Sequence, residues 1–76
     1  MIRVYLVTDV QELKRRRKAK GLSMKGLSEC AGLPGNAVLR IESGSTKRIN
    51  HLRAREIAKA LNCEVSDIFK YNNCST

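Results

Sequence analysis

The chain has no tryptophan, a single proline and a single histidine among its 76 residues, and its only aromatic residues are Tyr5, Phe69 and Tyr71. So few rings weigh against a platform for stacking unpaired RNA bases, and they leave the core to aliphatic side chains. Cys30, Cys63 and Cys74 are odd in number, widely spaced and without a C-x-x-C pair. With only His51 beside them they form no familiar zinc pattern, so no metal and no other cofactor is expected. Cys30 and Cys63 are expected as reduced thiols packed like small hydrophobes, and Cys74 lies in a polar tail. No apolar run approaches the length needed to cross a bilayer. The opening MIRVYLVTDV turns acidic too early for a signal peptide, so a cytoplasmic protein with no membrane partner is expected. There is no nucleophile–base pair, phosphate loop or metal constellation, and an enzyme is therefore not expected.

What the chain does have is positive charge. Fifteen Lys and Arg against seven Asp and Glu leave a net charge of +8. That footprint suits a polyanion: DNA, RNA or an anionic membrane surface. The length predicts one domain over residues 1–76, with one modest core. No repeat or low-complexity segment interrupts it.

The most informative stretch is Ser23 to Gly44, SMKGLSECAGLPGNAVLRIESG. Ser23 is a good N-cap, because its hydroxyl can accept a bond from an amide of the first turn. Leu27, Ser28, Cys30 and Ala31 then form a short run of small and apolar residues. Gly32 tolerates the left-handed conformation that ends a helix. Pro34 stands where a second helix would begin, with φ already set. Val38 and Ile41, at i, i+3, mark the inner face of that helix, leaving Asn36, Ala37 and Arg40 outward. Gly44 ends it. Two short helices about a glycine-containing turn read as a helix-turn-helix over 23–44.

The remaining elements build around this pair. Residues 2–7, IRVYLV, predict a strand with Ile2, Val4 and Leu6 on one face. A lone strand is unstable, so it needs either the chain's end near Phe69 to Tyr71 or a second subunit. Asp9 caps a first helix to about Lys20, with Val10, Leu13 and Arg17 on one side and Gly21 as its stop. Within it, KRRRK at 14–18 is a charge run of the usual solvated kind, except that Arg17 falls one turn beyond Leu13 and turns inward. The loop STKRIN carries Lys47 and Arg48. A fourth helix runs from about Asn50 to Leu61 with Ala54, Ile57, Ala58 and Leu61 as its core stripe, and Asn62 closes it. His51 is expected to be exposed near its start. A fifth, short helix spans Val65 to Phe69, with Val65, Ile68 and Phe69 facing in. The tail NNCST is expected to fray. Gly26, inside the second helix, costs about 1 kcal/mol relative to alanine with no evident local reason.

The segments LKRRRKAKGLS, LSECAGL, VLRIESG and IAKALNCEVSDIF resemble the Cro and lambda-repressor-like family of helix-turn-helix proteins, also called the xenobiotic-response-element type. The resemblance runs from Leu13 to Phe69. It implies an all-α fold, a five-helix lambda-repressor-like DNA-binding domain with a short N-terminal β-strand. It makes 34–43 the recognition helix, lying in the major groove of double-stranded DNA. Gly35, Asn36, Ala37 and Arg40 match its base-facing positions. The chemistry agrees: Asn pairs with adenine, Arg with guanine, and an alanine methyl with a thymine methyl. Ser23, Lys25, Lys47 and Arg48 match phosphate-contacting positions. Arg17 and Glu42 match a charged pair that ties helix one to the end of helix three.

Three departures bear on this resemblance. Met24 stands where a phosphate-binding glutamine is frequent, Gly35 where many members carry a base-reading side chain, and Arg16 where leucine is common. Direct readout is thereby thinned to Asn36 and Arg40. Against these roles stand plainer ones: helix-start hydrogen bonding for Asn36, a solvated charge for Arg40, and an ordinary polar loop for Lys47 and Arg48. The expected function is a sequence-specific transcriptional regulator, a repressor binding double-stranded DNA as a homodimer. The alternative is the antitoxin of a toxin–antitoxin pair, which holds a protein partner as well as DNA. Exposed apolar residues outside the helix-turn-helix would favour that alternative, and only the N-terminal strand offers any.

Overall fold

The computed structural model describes residues 3–74, with side chains for residues 5–71. Seven elements follow one another: β1 (Arg3–Thr8), α1 (Val10–Ala19), α2 (Met24–Cys30), α3 (Ala37–Glu42), α4 (His51–Ala60), α5 (Val65–Ile68) and β2 (Phe69–Cys74).

Local chemistry sets the helix ends. Asp9, Ser23 and Asn50 each accept the amide hydrogen bond of the residue three positions on, at 3.2, 2.9 and 2.8 Å respectively. Such a bond satisfies one of the donors that a helix start leaves unpaired. At the other ends Gly21, Gly32, Gly44 and Asn62 all have positive φ, from 56° to 86°, a conformation that glycine and asparagine adopt with least strain. Gly26 now has a steric reason. A Cβ there would lie 3.0 Å from the Ser23 hydroxyl oxygen that caps α2, so a side chain would press on the cap.

The helices close on one aliphatic core. Leu6, Leu13, Leu27, Val38, Ile41 and Ile57 form a buried cluster with Phe69 among them. The stripe expected on α4 is buried at all four positions, Ala54, Ile57, Ala58 and Leu61. Each fully buried aliphatic side chain contributes about 1.5–3 kcal/mol, which suffices to hold helices too short to stand alone.

Of the two partners expected for the N-terminal strand, the chain's own end is the one realised. β1 pairs in the same chain, antiparallel with β2, in a register that sets Leu6 opposite Tyr71 and Thr8 opposite Phe69. The pairing continues to Arg3 and Cys74, so Asn72, Asn73 and Cys74 of the tail are strand rather than frayed. Ser75 and Thr76 lie outside the described residues, as do Ile2 and the side chain of Val4. The fold is thus helical with a two-stranded sheet, and Phe69 belongs to β2 rather than to α5. Residues with poor strand propensity are drawn into β2 because β1 offers them a ladder of unpaired backbone groups. The other edge of β1 meets the α3–α4 loop, where Leu6 and Ile49 exchange reciprocal backbone hydrogen bonds of 3.1 and 2.9 Å.

The cysteines divide. Cys63 is half-buried, and burial raises its thiol pKa above the usual value. Cys30 was expected to be packed and is instead exposed, because the buried face of α2 is taken by Leu27 and Ser28. No helix among the described residues is long and apolar enough to cross a membrane.

Candidate nucleic-acid interface

α2 and α3 are joined by a turn in which Gly32 is left-handed and the Leu33 amide returns to the Ser28 carbonyl at 2.9 Å. α3 begins at Ala37, three residues later than expected. The Ala37 amide bonds to the Pro34 carbonyl at 2.9 Å, which makes 34–37 a turn, and the first helical bond runs from the Arg40 amide to Asn36. Pro34 therefore starts the turn and not the helix.

Asn36 occupies the N-cap of α3, yet its side chain makes no capping hydrogen bond. The work is done from α2. The Ser28 hydroxyl, fully buried, accepts the Val38 amide at 3.0 Å and donates to the Met24 carbonyl at 2.9 Å. The Asn36 amide is thus left exposed with its donors and acceptor available. Arg40 is likewise exposed.

Ala37 is corrected. It is 7% exposed and part of the core, so its methyl is not offered to a base. On a wheel of about 100° per residue it falls about 70° from the mean direction of Val38 and Ile41, on their side of the helix. The outward apolar residue of α3 is Leu39, at 48% exposure. Gly35 is exposed but brings only backbone; a Cβ there would touch the stem of Lys25, 3.7 Å away. The stem of Lys25 thus lies along the turn beside Gly35.

Cationic groups surround this face. Arg53 of α4, which sequence reasoning missed, lines a cavity of about 110 Å³ together with Asn36, Arg40 and Thr46. Its signal was its place three residues after the Asn50 cap, on the polar side of α4. The loop holding Lys47 and Arg48 is tied to α3 by a 2.9 Å bond from the Thr46 amide to the Arg40 carbonyl. Lys47 is exposed, and the Arg48 guanidinium lies 4.6 Å from the centre of the Tyr5 ring, a cation–π contact. Ser23 is exposed, and its hydroxyl accepts the Gly26 amide while its proton remains free to donate.

Among the described residues, ion pairs join Arg15 and Arg16 to Glu12 and Arg17 to Glu42. None involves Lys25, Arg40, Lys47, Arg48 or Arg53, so the charge of this face is not neutralised from within. Arg17 and Glu42 make two contacts, of 2.7 and 3.2 Å, and Arg17 also donates to the Leu22 carbonyl at 2.9 Å. This pair anchors the last residue of α3 to α1. Met24 is half-buried against the core, and Arg16 is engaged with Glu12 at 2.7 Å.

A family model for the Cro/C1-type helix-turn-helix DNA-binding domain matches residues 12–73. A solved structure, the restriction-modification controller protein C.AhdI from Aeromonas hydrophila, is similar with a TM-score of 0.70 and 31% sequence identity, over 76% of this chain and 86% of that one. No curated protein sequence matches the chain. The two capped helices, the turn between them and these likenesses lead to one conclusion: the chain belongs to the Cro/C1-type helix-turn-helix DNA-binding family.

Proposed function

We propose that the chain is a sequence-specific regulator of transcription that represses by occupying an operator in double-stranded DNA as a homodimer. α3 lies in the major groove, where Asn36 and Arg40 read base edges. Lys25, Lys47, Arg48, Arg53 and the Ser23 hydroxyl hold phosphates and fix the register. The observation that carries this reading is the availability of Asn36: its capping duty is met by Ser28 from the neighbouring helix, within a ring of cations that no carboxylate pairs. That the similar solved structure is a restriction-modification controller supports a regulatory role. Two copies are needed because one short helix reads too few base pairs to compete with non-specific sites.

The test is selection of bound duplexes from a random pool at physiological salt. An enriched inverted repeat with half-sites about one helical turn apart is expected, and a promoter carrying it should fall silent when the protein is present. Binding that is equally tight on scrambled duplex would overturn sequence reading, and increased transcription would overturn repression.

A second reading, an antitoxin that also holds a protein, draws on the exposure of Val7, Leu52 and Tyr71 outside the helix-turn-helix, at 38%, 72% and 58%. Three side chains fall well short of the roughly 800 Å² per partner that a stable interface buries. The first reading is preferred.

A further inference from the structure

Leu39 contributes nothing to the core, yet it sits in the middle of the face just described. On a wheel of about 100° per residue, Asn36, Leu39, Arg40 and Ser43 share one arc of about 100°, turned away from the buried Val38 and Ile41. A lone exposed leucine is unremarkable. One flanked by the uncommitted Asn36 amide and the unpaired Arg40 guanidinium is in a different position. It would enter a groove whose base edges are otherwise polar, and there the single apolar group is the C5-methyl of thymine. Ala37, the other small apolar residue of α3, is buried and cannot reach it.

We infer that Leu39 is a specificity-determining residue, whose isobutyl group packs on the C5-methyl of a thymine beside the bases read by Asn36 and Arg40. This rests on the reading of α3 as the recognition helix. It restores part of the readout that Gly35 lacks, by apolar contact rather than by hydrogen bonds. The site then favours thymine over cytosine at one position, because cytosine presents only hydrogen at C5.

The test uses the full chain and the duplex enriched from the random pool, with each thymine replaced singly by deoxyuridine. That replacement deletes the methyl and leaves every hydrogen-bonding group in place. At one thymine per half-site the wild-type protein should lose about fourfold in affinity, the scale of one buried methyl group. Leu39→Ala should bind more weakly overall and lose the methyl dependence at that position alone, while Leu39→Met should keep it. Leu39 is exposed and alanine is a strong helix former, so thermal melting of Leu39→Ala should match the wild type. Indifference of the wild type to every deoxyuridine, or a methyl dependence unchanged in Leu39→Ala, overturns this inference while sequence reading stands. A pool that enriches no sequence overturns both.

Discussion

The Ser28 hydroxyl accepts the amide proton of Val38 across the turn of the helix-turn-helix, at 3.0 Å. A cap for α3 is thus supplied by α2, so one buried oxygen ties the two helices together beside their shared core. Ser28→Ala leaves the Val38 amide buried and unpaired, at a cost of about 1–3 kcal/mol. In a domain this small each kcal/mol lowers the melting temperature by about 4–8 °C, which calorimetry would resolve. Specific DNA affinity should fall as well, since Asn36 becomes the only local group able to cap. A variant that melts like the wild type would show that water replaces the serine.

The Arg17–Glu42 pair is nearly buried, with side chains 11% and 4% exposed. Glu42→Ala strands a guanidinium and should cost about 3–5 kcal/mol. The double replacement Arg17→Met with Glu42→Leu should recover most of that loss, since an apolar pair of similar volume needs no desolvation. Urea unfolding of the three variants checks both statements. A double variant no more stable than Glu42→Ala would mean that the Arg17 bond to the Leu22 carbonyl dominates.

Arg40 and Lys47 should fail differently. Arg40→Ala should weaken specific binding by roughly 1–3 kcal/mol and relax choice at one base pair, with little effect on random duplex. Lys47→Ala should weaken both alike and make log affinity less steep in log salt by about one unit. Binding isotherms over a salt series on operator and scrambled duplex separate the two. Equal losses on both duplexes for Arg40→Ala would make it a phosphate contact.

Hydrogen bonds from Arg15 and then Arg16 hold the Glu12 carboxyl at a pKa of about 2, below its usual 4.5. A pKa lowered by folding stabilises the protein above the unfolded value, and that stabilisation is lost as pH falls from about 4.5 toward about 2. Denaturant midpoints should therefore drop more steeply through this window in the wild type than in Glu12→Gln. The group lies at the surface, so the difference should be small and should shrink further in about 1 M salt.

Much of this fold could be read from the chain because its signals are local. Asp9 and Ser23 cap helices, and Gly21, Gly32, Gly44 and Asn62 end them, for reasons contained within four residues of each. β2 was legible only in part: Phe69 to Tyr71 stood out as one possible partner of the N-terminal strand, but its extension over Asn72, Asn73 and Cys74 did not, because those residues are strand only by virtue of β1 at the opposite end of the sequence. The face of α3 was half legible. Val38 and Ile41 did mark its inner side, but Ala37 was read as outward although it lies only about 70° from their mean direction, and Leu39 went unnoticed as one more apolar residue. Arg53 joined the site through the cavity it lines with Asn36 and Arg40, and its place three residues after Asn50 was a signal too slight to single it out.

The reciprocal bonds between Leu6 and Ile49 carry a thermodynamic consequence. They moor the α3–α4 loop to β1, and with it Lys47 and Arg48. Immobilising a residue's backbone costs about 1–2 kcal/mol. For this loop that entropy is surrendered when the chain folds, so whatever polyanion the two cations meet finds them already arranged.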